Sequence, residues 1–202
     1  MKQVKVYTSK AGQGKSFVMM IDAVKMAASG KKVAYITTEL SDRFVVKRMN
    51  HIAKYLGLKG KISRDNLVIF SVPFGQEKIT FDKIEKINKD FDVLFLDPFE
   101  GIRSFEYTEI KPIFPITQEA FVKLVNVLDS EDSKLKSINT TVSAYYWPLD
   151  GDITFAGSQG LEDRVVLKTF CSKNYFGEQI IIIASDFENN SVKEYNLTKI
   201  MK

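Results

Sequence analysis

QVKVYTSKAGQGKSFVMMIDAVKMAAS, residues 3–29, is the stretch that decides the fold. Residues 3–8 (QVKVYT) read as a strand, and residues 15–29 (KSFVMMIDAVKMAAS) have the length and apolar spacing of a helix that stops at Gly30. A short segment containing Gly12 and Gly14 joins them. The same alternation then repeats. KKVAYITTE (31–39) is the β-branched, apolar run of a buried parallel strand, followed by a helical stretch from Ser41 to Tyr55 that Gly57 ends. NLVIFS (66–71) is a third strand candidate, TFDKIEKINKD (80–90) a short helix capped by Thr80 or a neighbour, and FDVLFLD (91–97) a strongly apolar fourth strand.

Farther along, TQEAFVKLVNVLDSED (117–132) reads as a helix opened by Thr117, and INTTVSAYYW (138–147) as a fifth strand. Strands alternating with helices predict an α/β architecture: a mostly parallel central sheet covered by helices on both faces. The end of the chain changes character. RVVLKTF, EQIIIIAS and SVKEYNLTK are strand-like without intervening helices, the last two joined by a turn at Glu188-Asn189-Asn190, which predicts an antiparallel hairpin extending the sheet's edge. The segment TEIKPIFPIT (108–117), with two prolines, is the best candidate for a mobile loop.

The segment between the first strand and helix carries chemistry. Binding a phosphate takes converging backbone N–H groups, glycines that leave the approach clear, a helix N-terminus aimed at the anion and a lysine for the terminal phosphates. Ser9, Lys10, Ala11, Gly12, Gln13, Gly14, Lys15, Ser16 and Phe17 meet these needs. The glycines free the backbone, Lys15 is the cation, and the Ser16 hydroxyl is placed at the helix start to ligate Mg²⁺. The pattern departs from G-x-x-x-x-G-K-[ST] only in having Ser9 where the leading glycine stands, a position that asks mainly for a small residue. A nucleotide-binding P-loop of this kind needs an acidic residue at the end of a buried strand for the magnesium shell, and Asp97 closes FDVLFLD. Glu39, at the end of the second strand, has two readings: it orients the water that attacks the γ-phosphate, or it favours the start of the next helix through the helix dipole, as Asp42 does.

Bulk properties narrow the class. With 202 residues, 45% hydrophobic and 27% charged, the chain is expected to form one domain over residues 1–202 with a proper core. No apolar run approaches the ~18 residues a membrane helix needs, and the first residues do not read as a signal peptide, so the expected location is cytoplasmic. A single cysteine, Cys171, rules out an internal disulfide framework, and a single histidine, His51, argues against a Cys/His zinc site; both are assigned to structure. Met19, Met20 and Met26 read as helix core. The net charge of +4 permits a polyanionic partner without requiring one.

SKAGQGKSFVMMIDAVKMAASGKKVAYITTELSDRFVVKRM resembles the nucleotide-binding core of RecA-like ATPases, most closely the motor domain of DnaB-like replicative helicases of phage or mobile-element type. FDVLFLDPFEGI is similar to that family's magnesium-binding strand, and AGSQGLEDRVVLKTF to its Gly-Ser segment before a strand. The resemblance implies a RecA-like P-loop fold, ATP with Mg²⁺ as cofactors, and Glu39 as catalytic base. It also implies single-stranded DNA as a partner, with a homo-oligomeric ring or filament or another replication protein as further partners. Two positions depart from the pattern. Tyr145 or Tyr146 stands where the family has a γ-phosphate-sensing glutamine, and SKNYFG keeps Lys173 and Gly177 of a Lys-x-Arg finger but has Tyr175 for the arginine. Slow hydrolysis follows from these departures, or an ATP-binding switch or scaffold that hardly hydrolyses. Arg164 would be a replacement finger. DNA contact would fall to the loops with Arg103 and Lys111, which also carry several acidic residues.

Overall fold

The computed structural model describes residues 3–9, 14–72, 76–98, 122–134, 137–143, 148–149, 152–153, 165–175, 178–183 and 193–202. In chain order these form β1 (Gln3–Ser9), α1 (Lys15–Ala28), β2 (Val33–Thr37), α2 (Asp42–Tyr55), β3 (Leu67–Ser71), α3 (Glu77–Ile87), β4 (Val93–Asp97) and α4 (residues 122–129). After them come β5 (Ser137–Ser143), β6 (Pro148–Leu149), β7 (Asp152–Ile153), β8 (Val165–Tyr175), β9 (Glu178–Ile183), β10 (Lys193–Asn196) and a single helical turn, α5 (Leu197–Ile200).

Eight strands form one sheet in the order β10-β9-β8-β1-β5-β4-β2-β3, parallel from β8 to β3 and antiparallel through β8, β9 and β10. The expected parallel sheet with an antiparallel extension at its edge is therefore what the chain builds. Among the described residues β6 and β7 form a separate two-stranded pair.

Side-chain parity divides the core. β2 and β4 are buried along their whole length and pair in register, Val33 with Val93 through Thr37 with Asp97. Side chains alternate between faces of a sheet, so odd-numbered and even-numbered residues of these strands go opposite ways. Val33, Tyr35, Val93 and Phe95 join Phe17, Val18, Ile21 and Val24 of α1 and Val45, Met49 and Ile52 of α2. Ala34, Ile36, Leu94 and Leu96 join Phe81, Ile84 and Ile87 of α3 and Leu124, Val125 and Leu128 of α4. Each fully buried side chain of this size contributes about 1.5–3 kcal/mol through removal from water, which holds both helical layers to the sheet. Met19 and Met20 are fully buried in α1, as core methionines should be.

Several element ends follow from local chemistry. α1 stops where Gly30 adopts φ 90°, a left-handed conformation that favours glycine, with Gly30 N–H and Lys31 N–H closing on Ala27 and Met26 carbonyls. α3 begins at Glu77, three residues ahead of the expected cap at Thr80. Thr80 is buried inside the helix and its Oγ1 donates back to the Gln76 carbonyl at 2.9 Å, so its hydroxyl is satisfied without capping. The final strand is shorter than SVKEYNLTK suggests. Asn196 ends it by accepting the Lys199 N–H at 3.0 Å, which caps α5 and buries Ile200 against the α1 side of the core. β5 is described from Ser137 to Ser143, and residues 122–129 of the helix expected from Thr117 are helical; residues 117–121 and 144–147 lie outside the described residues. The loop at 108–117 and the turn at 188–190 lie outside the described residues.

Candidate functional site

The parallel strands all end at one edge, and of the candidate residues Ser9, Lys15, Ser16, Glu39 and Asp97 stand at strand ends or a helix start there. Ser9 closes β1 and pairs with Ser143 of β5; Asp97 closes β4 and pairs with Thr37 of β2. β5 lies between β1 and β4, so the first strand and the acidic strand are separated by one strand.

α1 starts from Gly14, whose φ of 87° is in the left-handed region, and whose carbonyl accepts the Phe17 and Val18 N–H groups at 3.0 and 3.1 Å. Glycine at this point turns the chain into the helix without steric cost. Among the described residues no side chain caps the helix and its first turn carries no acidic residue, so its first N–H groups are left for another acceptor. Lys15 and Ser16 are half-buried in that first turn, while Phe17 is buried in the core. Lys10, Ala11, Gly12 and Gln13 lie outside the described residues, and Ser9 is described by its backbone alone.

Asp97 is 1% exposed. Being odd-numbered on β4, it faces the α1 layer, and Ser16 Oγ donates to its Oδ1 at 3.0 Å across 81 positions of chain. Its other oxygen is also engaged, since Tyr35 Oη donates to Oδ2 at 2.6 Å. Tyr35 pairs with Phe95 in the register, so this is a diagonal contact between neighbouring strands on one face. The Tyr35 hydroxyl is held well above the ordinary tyrosine range, first by burial, then by the negative charge of Asp97 and the hydrogen bond to it. Arg48 of α2 opposes that shift. Its own guanidinium is lowered by partial burial against the opposing fields of Tyr35 and Asp97. It stacks 4.2 Å over the Phe44 ring, and among the described residues its buried Nε has no hydrogen-bond partner.

Glu39 is exposed in the bend that follows β2. Thr37 Oγ1 accepts the Leu40 N–H at 3.0 Å, Thr38 N–H donates to the Asp97 carbonyl at 2.9 Å, and Thr38 Oγ1 to the Pro98 carbonyl at 3.0 Å. The two Thr38 bonds tie the backbone just before Glu39 to the end of β4, and the Thr37–Leu40 bond closes the bend around it. α2 is capped by Ser41 and has Asp42 in its first turn, so Asp42 serves the helix dipole and Glu39 precedes the cap by two residues.

Lys173 and Tyr175 stand elsewhere. β8 pairs with β1 as far as Thr169, opposite Thr8, and then continues against β9, with Lys173 opposite Ile180 and Tyr175 opposite Glu178. Six residues of strand carry this hairpin roughly 20 Å past the last pairing with β1, on the side where the parallel strands end. Cys171 pairs with Ile182 in the same hairpin, and His51 is half-buried in α2. Tyr145, Tyr146, Arg103, Lys111 and Arg164 lie outside the described residues.

The sequence reading missed Tyr35. Its signal is weak: a tyrosine two residues before the strand end becomes informative only once β2 and β4 are known to be neighbours. Among the described residues no three His, Cys, Asp or Glu side chains gather as a metal cage, and no helix is long and apolar enough to cross a membrane.

No protein-family model matches the chain, and no curated protein matches it. Solved structures do. A DnaB-like replicative helicase, from a study of its interactions with primase, superposes with a TM-score of 0.62 at 13% identity, covering 96% of this chain and 54% of that one. A second solved structure, an ATPase domain, superposes with a TM-score of 0.67 at 12% identity, covering 100% of this chain and 84% of that one. The chain thus spans about half the length of the helicase. At such low identity the likeness establishes the fold, which is the RecA-like architecture of these ATPase domains.

Proposed function

We propose that this chain, folded as the ATPase domains of DnaB-like helicases are, is a single-domain Mg²⁺-dependent ATPase of DNA replication or recombination. The observation that carries the reading is the contact of Ser16 Oγ with Asp97 Oδ1 at 3.0 Å. A hydroxyl at a helix start and a buried carboxylate at a strand end, brought together from distant parts of the chain, are the hard oxygen donors suited to magnesium. With few carboxylates, such a site leaves positions for water and nucleotide phosphates.

The assignment of roles follows. The backbone from Ser9 to Gly14, the first turn with Lys15, Ser16 and Phe17, and the uncapped helix end hold the phosphates. Lys15 bridges the terminal ones. Ser16 and Asp97 hold Mg²⁺, which when bound would neutralise charge on the β- and γ-phosphates. Glu39 accepts the proton of the attacking water and fixes its orientation. Its exposure suits a base that must meet a ligand rather than the core. Lys173, on the projecting β8–β9 hairpin, reaches a nucleotide held by a neighbouring copy, which makes a ring or filament the working assembly. Single-stranded DNA is the macromolecular substrate, and a replication protein a further partner.

Tyr175 at the end of that hairpin favours a second reading, an ATP-binding switch or scaffold with little turnover, because a phenol lacks the fixed charge of a finger arginine. Steady-state ATP hydrolysis with Mg²⁺, across a protein concentration series and with and without single-stranded DNA, separates the two. The motor reading expects hydrolysis that rises with both and vanishes in Lys15→Ala and Glu39→Gln. ATP binding with turnover no faster than in Glu39→Gln would overturn it in favour of the switch.

A further inference from the structure

We infer that Tyr35 is a positioning residue that sets which divalent cation the site accepts, by holding Asp97 to single-oxygen coordination. The inference rests on the nucleotide-site reading above. A carboxylate can meet a cation through one oxygen or through both. Here Oδ2 takes the Tyr35 hydroxyl at 2.6 Å, a charge-assisted bond at the short end of its range, while Oδ1 lies 3.0 Å from Ser16 Oγ. Tyr35 is fully buried, stacked on Phe95 with ring centroids 5.9 Å apart. Its hydroxyl therefore has little freedom to leave, and rotating the carboxylate to offer both oxygens would leave it buried and unpartnered.

The consequence is a choice between cations. Mg²⁺ demands near-octahedral geometry and takes carboxylates through one oxygen while keeping several waters; Ca²⁺ takes more ligands and accepts a bidentate carboxylate readily. A carboxylate locked to Oδ1 withholds the mode that Ca²⁺ exploits. Tyr35 touches neither nucleotide nor cation in this scheme and acts through Asp97 alone.

Equilibrium binding of a fluorescent ATP analogue to wild type and Tyr35→Phe tests this, measured in EDTA, in Mg²⁺ and in Ca²⁺, with a thermal melt of each protein to confirm folding. The quantity read is the gain in affinity each cation gives over EDTA. In wild type the gain with Mg²⁺ exceeds that with Ca²⁺. In Tyr35→Phe the ratio of the two gains is expected to fall about fivefold, the worth of one buried hydrogen bond, with affinity in EDTA unchanged. An unchanged ratio overturns the inference and leaves the nucleotide site standing. A loss of affinity in EDTA as well also overturns it, because Tyr35 would then be shaping the pocket generally. Wild type that binds no nucleotide under any condition overturns the site reading and this inference together.

Discussion

At the two edges of the parallel sheet an aspartate meets a donor at nearly the same distance. Asp97, where the strands end, takes the Tyr35 hydroxyl at 2.6 Å; Asp132, where they begin, takes the Lys89 ammonium at 2.8 Å. Distance does not separate them, but surroundings do. Asp97 is 1% exposed and accepts two side-chain hydroxyls, whereas the Lys89 and Asp132 side chains are 59% and 72% exposed. In the low dielectric of the first site a charge is costly without partners and strongly coupled to those it has. In water the second pair is screened and must also hold two mobile side chains in place. Thus the charge pair that is easiest to see is the less consequential one.

The sharpest way to break this contrast is to remove Asp97. Asp97→Ala leaves the Tyr35 hydroxyl buried without its acceptor, and is expected to cost about 2 kcal/mol, seen as a Tm lower by roughly 4–8 °C in a chain of this size. A Tm within a degree of wild type would mean that the buried network contributes no stability. Tyr35→Phe removes the donor and keeps the ring, with an expected loss of about 1 kcal/mol, or roughly 2–4 °C. A stabilised Tyr35→Phe would show that satisfying Oδ2 is not what this hydroxyl does.

The smallest effect belongs to the other edge. Asp132→Asn should move Tm by less than about 2 °C. Its hydrogen bond with Lys89, and then the lysine charge, hold the Asp132 carboxyl below the usual carboxylate range, while the same two causes raise Lys89. The pair's contribution is therefore complete above the ordinary aspartate value and fades as pH falls through the lowered native one. At the alkaline end it is lost as pH rises through the raised lysine value. An NMR titration of Asp132 checks the direction, and Lys89→Ala should return it to the ordinary range.

How much of this was legible in the sequence follows the range of the interactions. The strand, glycine loop and helix at residues 3–29 are local, and Gly30 marks the helix end by itself, so that part reads directly. Ser16 and Asp97 are legible as partners across a long stretch of chain because the chemistry expected of a P-loop asks for both. Tyr35 is not. Its contact depends on β2 lying beside β4 with β3 outside them, a sheet order different from chain order, and no spacing within VAYITTE reveals it. Thr80 misled in the opposite way. A threonine before an apolar run reads as a cap, but inside a helix its hydroxyl can bond back to the preceding turn, and here it does. SVKEYNLTK reads as one strand for a similar reason, since nothing in it shows that Asn196 both ends a strand and opens a helical turn.

Mg²⁺-dependent ATP hydrolysis, measured side by side in wild type, Asp97→Asn and Asp132→Asn, tests most directly whether the site lies at the edge where the strands end. The account predicts that Asp132→Asn matches wild type while Asp97→Asn, folded by its melt, loses hydrolysis. Wild-type turnover in Asp97→Asn, or equal losses in both variants, would contradict it.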